Sequence, residues 1–298
     1  MIITFPRTRH LKISLETDFK VLSQKTEFQN LEIWQTKHYG RIVLSNGYLQ
    51  SIEYDEFIYH ESLVHPAMNL SKNICKNILI IGGAEGAVLR EVLRYKSVEK
   101  VTMVDIDRDF VRIAKTHLRC MHQGSFEDPR VNLVFEDGRK YLEGNNDAYD
   151  AIFVDINAPD IGSPSVFLFT VEWYNIVIEH LKKGGIFSSY SLSANLEDSY
   201  GFACITKTMQ KCFSLVIPLV FNMQLDGDNY GIAIGLNEHR VELKNFDFDK
   251  SVSEKLVSKP ISLDNISLYR SSLLPKYLRN FPDCLEPRII EDSNLLLF

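Results

Sequence analysis

A chain of 298 residues with 45% hydrophobic content can bury one large core and a small second one, and 33 basic against 39 acidic residues leave a formal charge of -6. That balance excludes the basic footprint of a nucleic-acid binder or of a protein held on an anionic membrane, so neither is expected as a partner. The five cysteines, Cys75, Cys120, Cys204, Cys212 and Cys284, are odd in number and never spaced C-x-x-C, which disfavours a disulfide framework or zinc cluster and points to a reducing compartment.

The opening MIITFPRTRH has no long apolar stretch after its basic residues, and no run approaches the roughly 18 apolar residues of a membrane span. A cytoplasmic protein is expected. Residues 31–54, LEIWQTKHYGRIVLSNGYLQSIEY, hold β-rich runs parted by Tyr39-Gly40 and by Asn46-Gly47, the second a two-residue hairpin signal. Residues 1–66 are therefore read as a small antiparallel β domain. Asp55 opens DEFIYHESLVHPAM, a short helix that Pro66 is expected to end.

From Asn77 the pattern changes to strand ILII, helix AVLREVLRY, strand VTMVDI, helix DFVRIAKTHL, strands VNLVF and AIFVDI, and a helix near VEWYNIVIEHL. Beyond Gly185, IFSSYSL, FACITKTMQKCF and YGIAIGL read as strand, helix and strand. This alternation argues for an open, mostly parallel α/β sheet over residues 67–298, with the polar segment after about 240 left unorganised.

The stretch ILIIGGAEGAVLREVLR, starting at Ile78, packs a strand, a glycine turn and a helix start together. Such turns lie where ligands meet the carboxyl ends of parallel strands. Gly82-x-Ala84-x-x-Ala87 is a poor match to the dinucleotide pattern G-x-G-x-x-G, and Glu85 would repel phosphate. The turn, with Gly82 and Gly83, suits a ligand without phosphate there. Asp105, ending the next strand about 20 residues on, can accept from both ribose hydroxyls. Asp137 and Gly138 of FEDGRKYL follow another strand, where an acid can accept from an adenine amino group and a backbone N–H can donate to the ring. Together these point to an adenosyl ligand of the S-adenosyl type; a flavodoxin-like or dehydrogenase domain, or a purely structural turn, are the alternatives.

With DEFIYHE, DPRV and YDAIFVDINAP followed by LFTVEWY, the chain resembles the polyamine aminopropyltransferases, the spermidine and spermine synthases, over residues 25–278. The resemblance implies a small amino-terminal β domain, a Rossmann-like domain of the methyltransferase type, and a homodimer or homotetramer. It implies transfer of an aminopropyl group from decarboxylated S-adenosylmethionine to a diamine or polyamine with release of methylthioadenosine, and no resident cofactor. The family's nucleoside contacts fall on Gln29, Asp105, Asp137 and Gly138, and its amine-side contacts on His60 and Glu85. Spermidine synthases usually carry Asp where this chain has Glu85; thermospermine synthases resemble it in having Glu. The first acid of the family's D-x-x-D-P motif, its proton acceptor, falls on Asp155.

Every departure lies on the amine side. Ala158 replaces the second motif acid, the following DIGSPSVF is about two residues longer than usual, Tyr190 replaces a glutamine, and P-T-Y has no clear counterpart in VFNMQLDGDNYG. The donor is thus better supported than the acceptor.

An alkylamine resembling lysine has a pKa near 10.4, so roughly one molecule in a few thousand is neutral at pH 7. Asp155 is suited to orient such an amine and take its proton, or else to cap the loop that follows it. Glu85 is suited to hold the ammonium of the aminopropyl arm and to repel the carboxylate of intact S-adenosylmethionine. His60 and His65 flank Glu61 as H-E-x-x-x-H, one residue longer than the zinc motif, and no metal is expected. Tyr59 and Tyr230 are candidate walls for an alkyl chain, although core packing is the commoner use of such residues. A methyltransferase on the same scaffold, which Glu85 opposes, and a catalytically idle homologue are the competing readings.

Overall fold

The computed structural model describes residues 1–8, 10–159, 163–237, 241–279 and 286–297. Strands β1 (Ile2–Pro6) and β2 (Lys12–Glu16) form an antiparallel pair, and β3 (Phe19–Lys25), β4 (Asn30–Thr36), β5 (Gly40–Ser45) and β6 (Tyr48–Ile52) form a four-stranded antiparallel sheet. Asn46 and Gly47 both adopt positive φ, as a two-residue turn between β5 and β6 requires.

Helix α1 (Glu56–Leu70) follows and contains Pro66 instead of ending there. Proline forfeits a helix hydrogen bond, but α1 is buried along most of its length and gains outside partners. From outside the helix, Ser188 Oγ donates to the Leu63 carbonyl at 2.8 Å and Ser251 Oγ to Asn69 Oδ1 at 2.7 Å. Tertiary packing therefore overrides the expected stop.

The large sheet is built from β7 (Asn77–Gly82), α2 (Ala87–Leu93), β8 (Lys100–Asp105), α3 (Arg108–His117), α4 (Arg119–His122), β9 (Val131–Phe135), α5 (Gly138–Glu143) and β10 (Tyr149–Asp155). It continues through α6 (Val171–His180), β11 (Leu181–Ser193), α7 (Tyr200–Cys212), β12 (Leu215–Asn222) and β13 (Asn229–Leu236). Strand order is β12-β13-β11-β10-β7-β8-β9, parallel from β11 to β9 and antiparallel at β12 and β13. The fold is α/β, a Rossmann-like open sheet with an antiparallel amino-terminal β region.

Both sheet faces are covered, which is why the central strands read as continuous apolar runs. Ile78 and Ile80 face a core with Leu63, Val64, Val88 and Val92, while Leu79 and Ile81 face one with Trp173, Tyr174 and Val177. The segment after 240 does hold helices: α8 (Phe248–Lys255), α9 (Asn265–Ser272) and α10 (Lys276–Arg279). Among the described residues no helix is long and apolar enough to cross a membrane. Chain order reverses between β7 and β10, and at such a switch point an α/β sheet opens a crevice beyond its strand ends.

Candidate active site

Gly82 closes β7 at that switch point, directly opposite Asp155 at the end of β10. It adopts φ +81°, and a Cβ there would lie 2.1 Å from the Asp155 carbonyl oxygen. Only glycine tolerates this conformation and approach together. The Gly83 N–H then donates to the same carbonyl at 2.9 Å, locking the turn to β10. Glu85 and Asp155 are thereby carried to the same rim of the sheet.

Asp105 ends β8 on the other side of the turn and accepts the Asp107 N–H at 2.8 Å. Burial pushes its carboxyl up to about 7, with the charges of Asp107 and Asp155 adding to the rise. Asp107 caps α3 and also accepts from Thr26 Oγ1 at 2.6 Å and Gln29 Nε2 at 2.9 Å. Ser45 donates to Gln29 Oε1 at 2.6 Å, so the Gln29 amide orientation is set from both ends. Asp137 Oδ1 caps α5 by accepting from the Arg139 and Lys140 N–H groups. A Cβ at Gly138 would meet Ile81 at 2.4 Å, which holds the helix start tight against the sheet.

Glu85 is partly buried, and its Oε1 accepts from Ser51 Oγ at 2.7 Å. Burial pushes its carboxyl up to about 7 against the opposing pull of His60. No ion pair satisfies it among the described residues. His60 Nδ1 lies 2.6 Å from Glu56 Oε2, and Arg90 pairs with the other Glu56 oxygen at 2.7 Å. Burial alone would lower the His60 pKa, but the hydrogen bond and charge of Glu56 outweigh it and raise it.

Tyr59 donates to Asp155 Oδ1 at 2.6 Å, and burial together with that carboxylate holds the phenol well above its usual range, so it stays a donor. The Tyr59 ring lies 5.9 Å from those of Tyr190 and Tyr230. The nucleoside- and amine-site candidates from the sequence, from Gln29 through Tyr230, line one cavity of about 1100 Å³. Ala158 also lines it, and Asp160, Ile161 and Gly162 of the lengthened loop lie outside the described residues.

Sequence reasoning missed the far end of this cavity. Asp226 accepts from Tyr230 Oη and the Asp228 N–H, each at 2.9 Å. Asp228 pairs with Arg7 and accepts from Ser193 Oγ at 2.9 Å, and Asp55 accepts the Leu225 N–H at 3.1 Å. The signal was the Asp-Gly-Asp of QLDGDNYG, which becomes meaningful only when the β12–β13 turn is seen against Tyr59. The H-E-x-x-x-H stretch resolves differently: Glu61, His65 and Glu91 cluster, but Arg94 Nη1 donates to Glu61 at 3.2 Å and also to Glu91, so a guanidinium supplies the cation there.

The spermine/spermidine synthase domain model matches residues 56–245, and the spermidine synthase tetramerisation domain model matches residues 4–53. The chain belongs to the spermine/spermidine synthase family. The polyamine aminopropyltransferase of Saccharolobus solfataricus is 37% identical over 265 residues, 88% of this chain and 86% of the relative. Polyamine aminopropyltransferase 2 of Pseudomonas aeruginosa is 40% identical over 198 residues, 66% of this chain but 56% of the relative. The chain thus spans little more than half of some relatives it matches. Spermidine synthase from Thermotoga maritima superposes with a TM-score of 0.82 at 24% identity, covering 94% of this chain and 93% of that one. A crystal structure of spermidine synthase with the transition state analogue AdoDATO gives 0.83 at 24%, covering 94% of each chain. At that identity the likeness is one of fold.

Proposed function

We propose that this member of the family moves an aminopropyl group from decarboxylated S-adenosylmethionine onto a small amine and releases methylthioadenosine. The observation that carries this reading is Glu85: a partly buried carboxyl at the glycine turn, pushed up to about 7, hydrogen-bonded by the Ser51 hydroxyl with no ion pair among the described residues, and facing a cavity shared with Asp155. A donor ending in an ammonium supplies the missing counter-charge, whereas a donor ending in a carboxylate adds a second negative charge there.

In the reaction the amine nitrogen attacks the carbon bonded to the sulfonium sulfur. The C–N bond forms, the C–S electron pair leaves on sulfur as a neutral thioether, and the nitrogen sheds one proton. Asp155 takes that proton, with Tyr59 fixing one carboxylate oxygen and leaving the other for the amine. Asp105 and Asp137 serve the ribose and adenine, Gln29 completes the nucleoside pocket, and His60 lines the amine side. No resident metal or redox cofactor enters these steps. Assembly as a homodimer or homotetramer, through the 4–53 region that matches a tetramerisation model, and a cytoplasmic setting complete the proposal. Purified protein incubated with the decarboxylated donor and a panel of amines should release methylthioadenosine. Release of S-adenosylhomocysteine from the intact donor instead would replace this reading with methyl transfer.

A further inference from the structure

Resting on that reading, the far end of the cavity identifies how the acceptor is measured. Beyond Asp155 the cavity runs past Tyr59, Tyr190 and Tyr230, whose rings meet edge to face at 5.6 to 5.9 Å. The tyrosine hydroxyls end on carboxylates at both limits of this wall: Tyr59 on Asp155 and Tyr230 on Asp226. An aromatic slot with an acid at each end matches an alkyl chain bearing two amino groups.

Asp226 does not stand alone. Asp55, at the entry to α1, is 3% exposed and Asp226 is 6% exposed; both line the cavity, and neither is in an ion pair among the described residues. Burial raises the Asp55 carboxyl, and the nearby Asp226 charge adds to the rise, which a cation between them would relieve. Next to them Arg7, with a side chain only 9% exposed, pairs with Asp228, and its Nε has no hydrogen-bond partner among the described residues. Arg7 lines the same cavity, so a chain reaching past Asp226 meets a buried guanidinium.

We propose that Asp226, seconded by Asp55, receives the second ammonium of the acceptor in place of the acid absent at Ala158, and that Arg7, held by Asp228, turns away a third. The acid then sits on the β12–β13 turn instead of the loop after β10. Specificity then rests on two residues from distant parts of the chain, one attracting and one repelling.

The test is methylthioadenosine release with 1-aminobutane, 1,4-diaminobutane and N-(3-aminopropyl)-1,4-diaminobutane. In the parent protein the diamine should have a KM at least tenfold below that of the monoamine. Asp226→Asn should shrink that advantage about tenfold or more, chiefly through KM, and Asp55→Asn should shrink it less. Arg7→Met should bring the triamine closer to the diamine by about tenfold. Methylthioadenosine affinity, measured by calorimetry, reports that each variant has kept its nucleoside pocket. A parent protein active on diamine whose preference over monoamine survives both Asp substitutions overturns the assignment and leaves the transfer reaction standing. So does a parent that prefers ornithine to 1,4-diaminobutane, since Arg7 would then be reading a carboxylate. Absence of release with every amine sinks the transfer reading itself.

Discussion

Replacing Glu85 by Gln removes the charge that is proposed to select the donor. An ammonium about 4 Å from a carboxylate at an effective dielectric of about 20 gains about 4 kcal/mol. Desolvation and the half-protonated state of a carboxyl pushed up to about 7 offset part of this, leaving about 2 to 3 kcal/mol, or about 30- to 150-fold in Kd. The sign with pH follows from the raised value. The ammonium pairs with ionised Glu85, so below about pH 7 the carboxyl must give up a proton on binding, and donor affinity falls about tenfold per unit. Above about 7 the affinity levels off. Asp105 is raised into the same range but on the proposed reading faces the nucleoside that donor and product share, so the ratio of donor to product Kd isolates Glu85. Calorimetry with decarboxylated S-adenosylmethionine and with methylthioadenosine from pH 5.5 to 8.5 measures that ratio. It should fall with pH in the parent and be flat in Glu85→Gln. A ratio flat in the parent, or equal in the two proteins, refutes the reasoning.

Asp155→Asn should lower kcat by about 10²- to 10⁴-fold, as expected for loss of a general base, with methylthioadenosine affinity nearly unchanged in calorimetry. Gly82→Ala forces a side chain into positive φ within 2.1 Å of the Asp155 carbonyl oxygen, and should cost more than about 2 kcal/mol in urea denaturation. Gln29→Ala removes the hydrogen bonds to Asp107 and Ser45 that join the amino-terminal sheet to the β8 end, and should lower stability by about 1 to 2 kcal/mol in the same assay.

The parallel half of the sheet was legible because strands buried on both faces must be apolar throughout, as in Ile78–Ile81 and Ala151–Val154. The glycine turn was legible because the backbone approach to Asp155 permits no side chain. Strands β1 to β3 were not: β1 and β2 do alternate, burying Ile3 and Phe5 and half-burying Ile13 and Leu15, but each has only five residues, and β3 has no regular alternation. Strand β12 was masked by Pro218, which an edge strand tolerates. The helices after 240 are short and polar, and their order comes from docking. Phe248 and Val252 enter the core, Ser251 donates to Asn69 at 2.7 Å, and Glu61 accepts the Ile261 and Ser262 N–H groups. That docking depends on the polar stripe of α1, and only its continuation through Pro66 brings Asn69 to α8. Asp226 and Arg7 were silent for a related reason: the slot they close exists only after Arg7, Tyr59, Asp155, Tyr190 and the β12–β13 turn come together.

On the proposed reading, the empty cavity is electrostatically incomplete, and this incompleteness does chemical sorting. Glu85 and Asp105 are both pushed up to about 7, chiefly by burial, so each ionises more readily once a counter-charge or a further hydrogen-bond donor arrives, whereas Asp228, also raised, already has the Arg7 guanidinium. The donor brings ribose hydroxyls to Asp105 and an ammonium to Glu85; the acceptor brings an ammonium to Asp226. Only the nitrogen beside Asp155 must become neutral; a phenol that stays protonated donates to the carboxylate at each end, Tyr59 to Asp155 and Tyr230 to Asp226, and Asp55 adds a second carboxyl beside Asp226. With a phenol on each, Asp155 alone holds a cation less firmly than Asp226 and Asp55 together. The acceptor is therefore anchored at the end that keeps its proton and freer to lose one at the end that reacts.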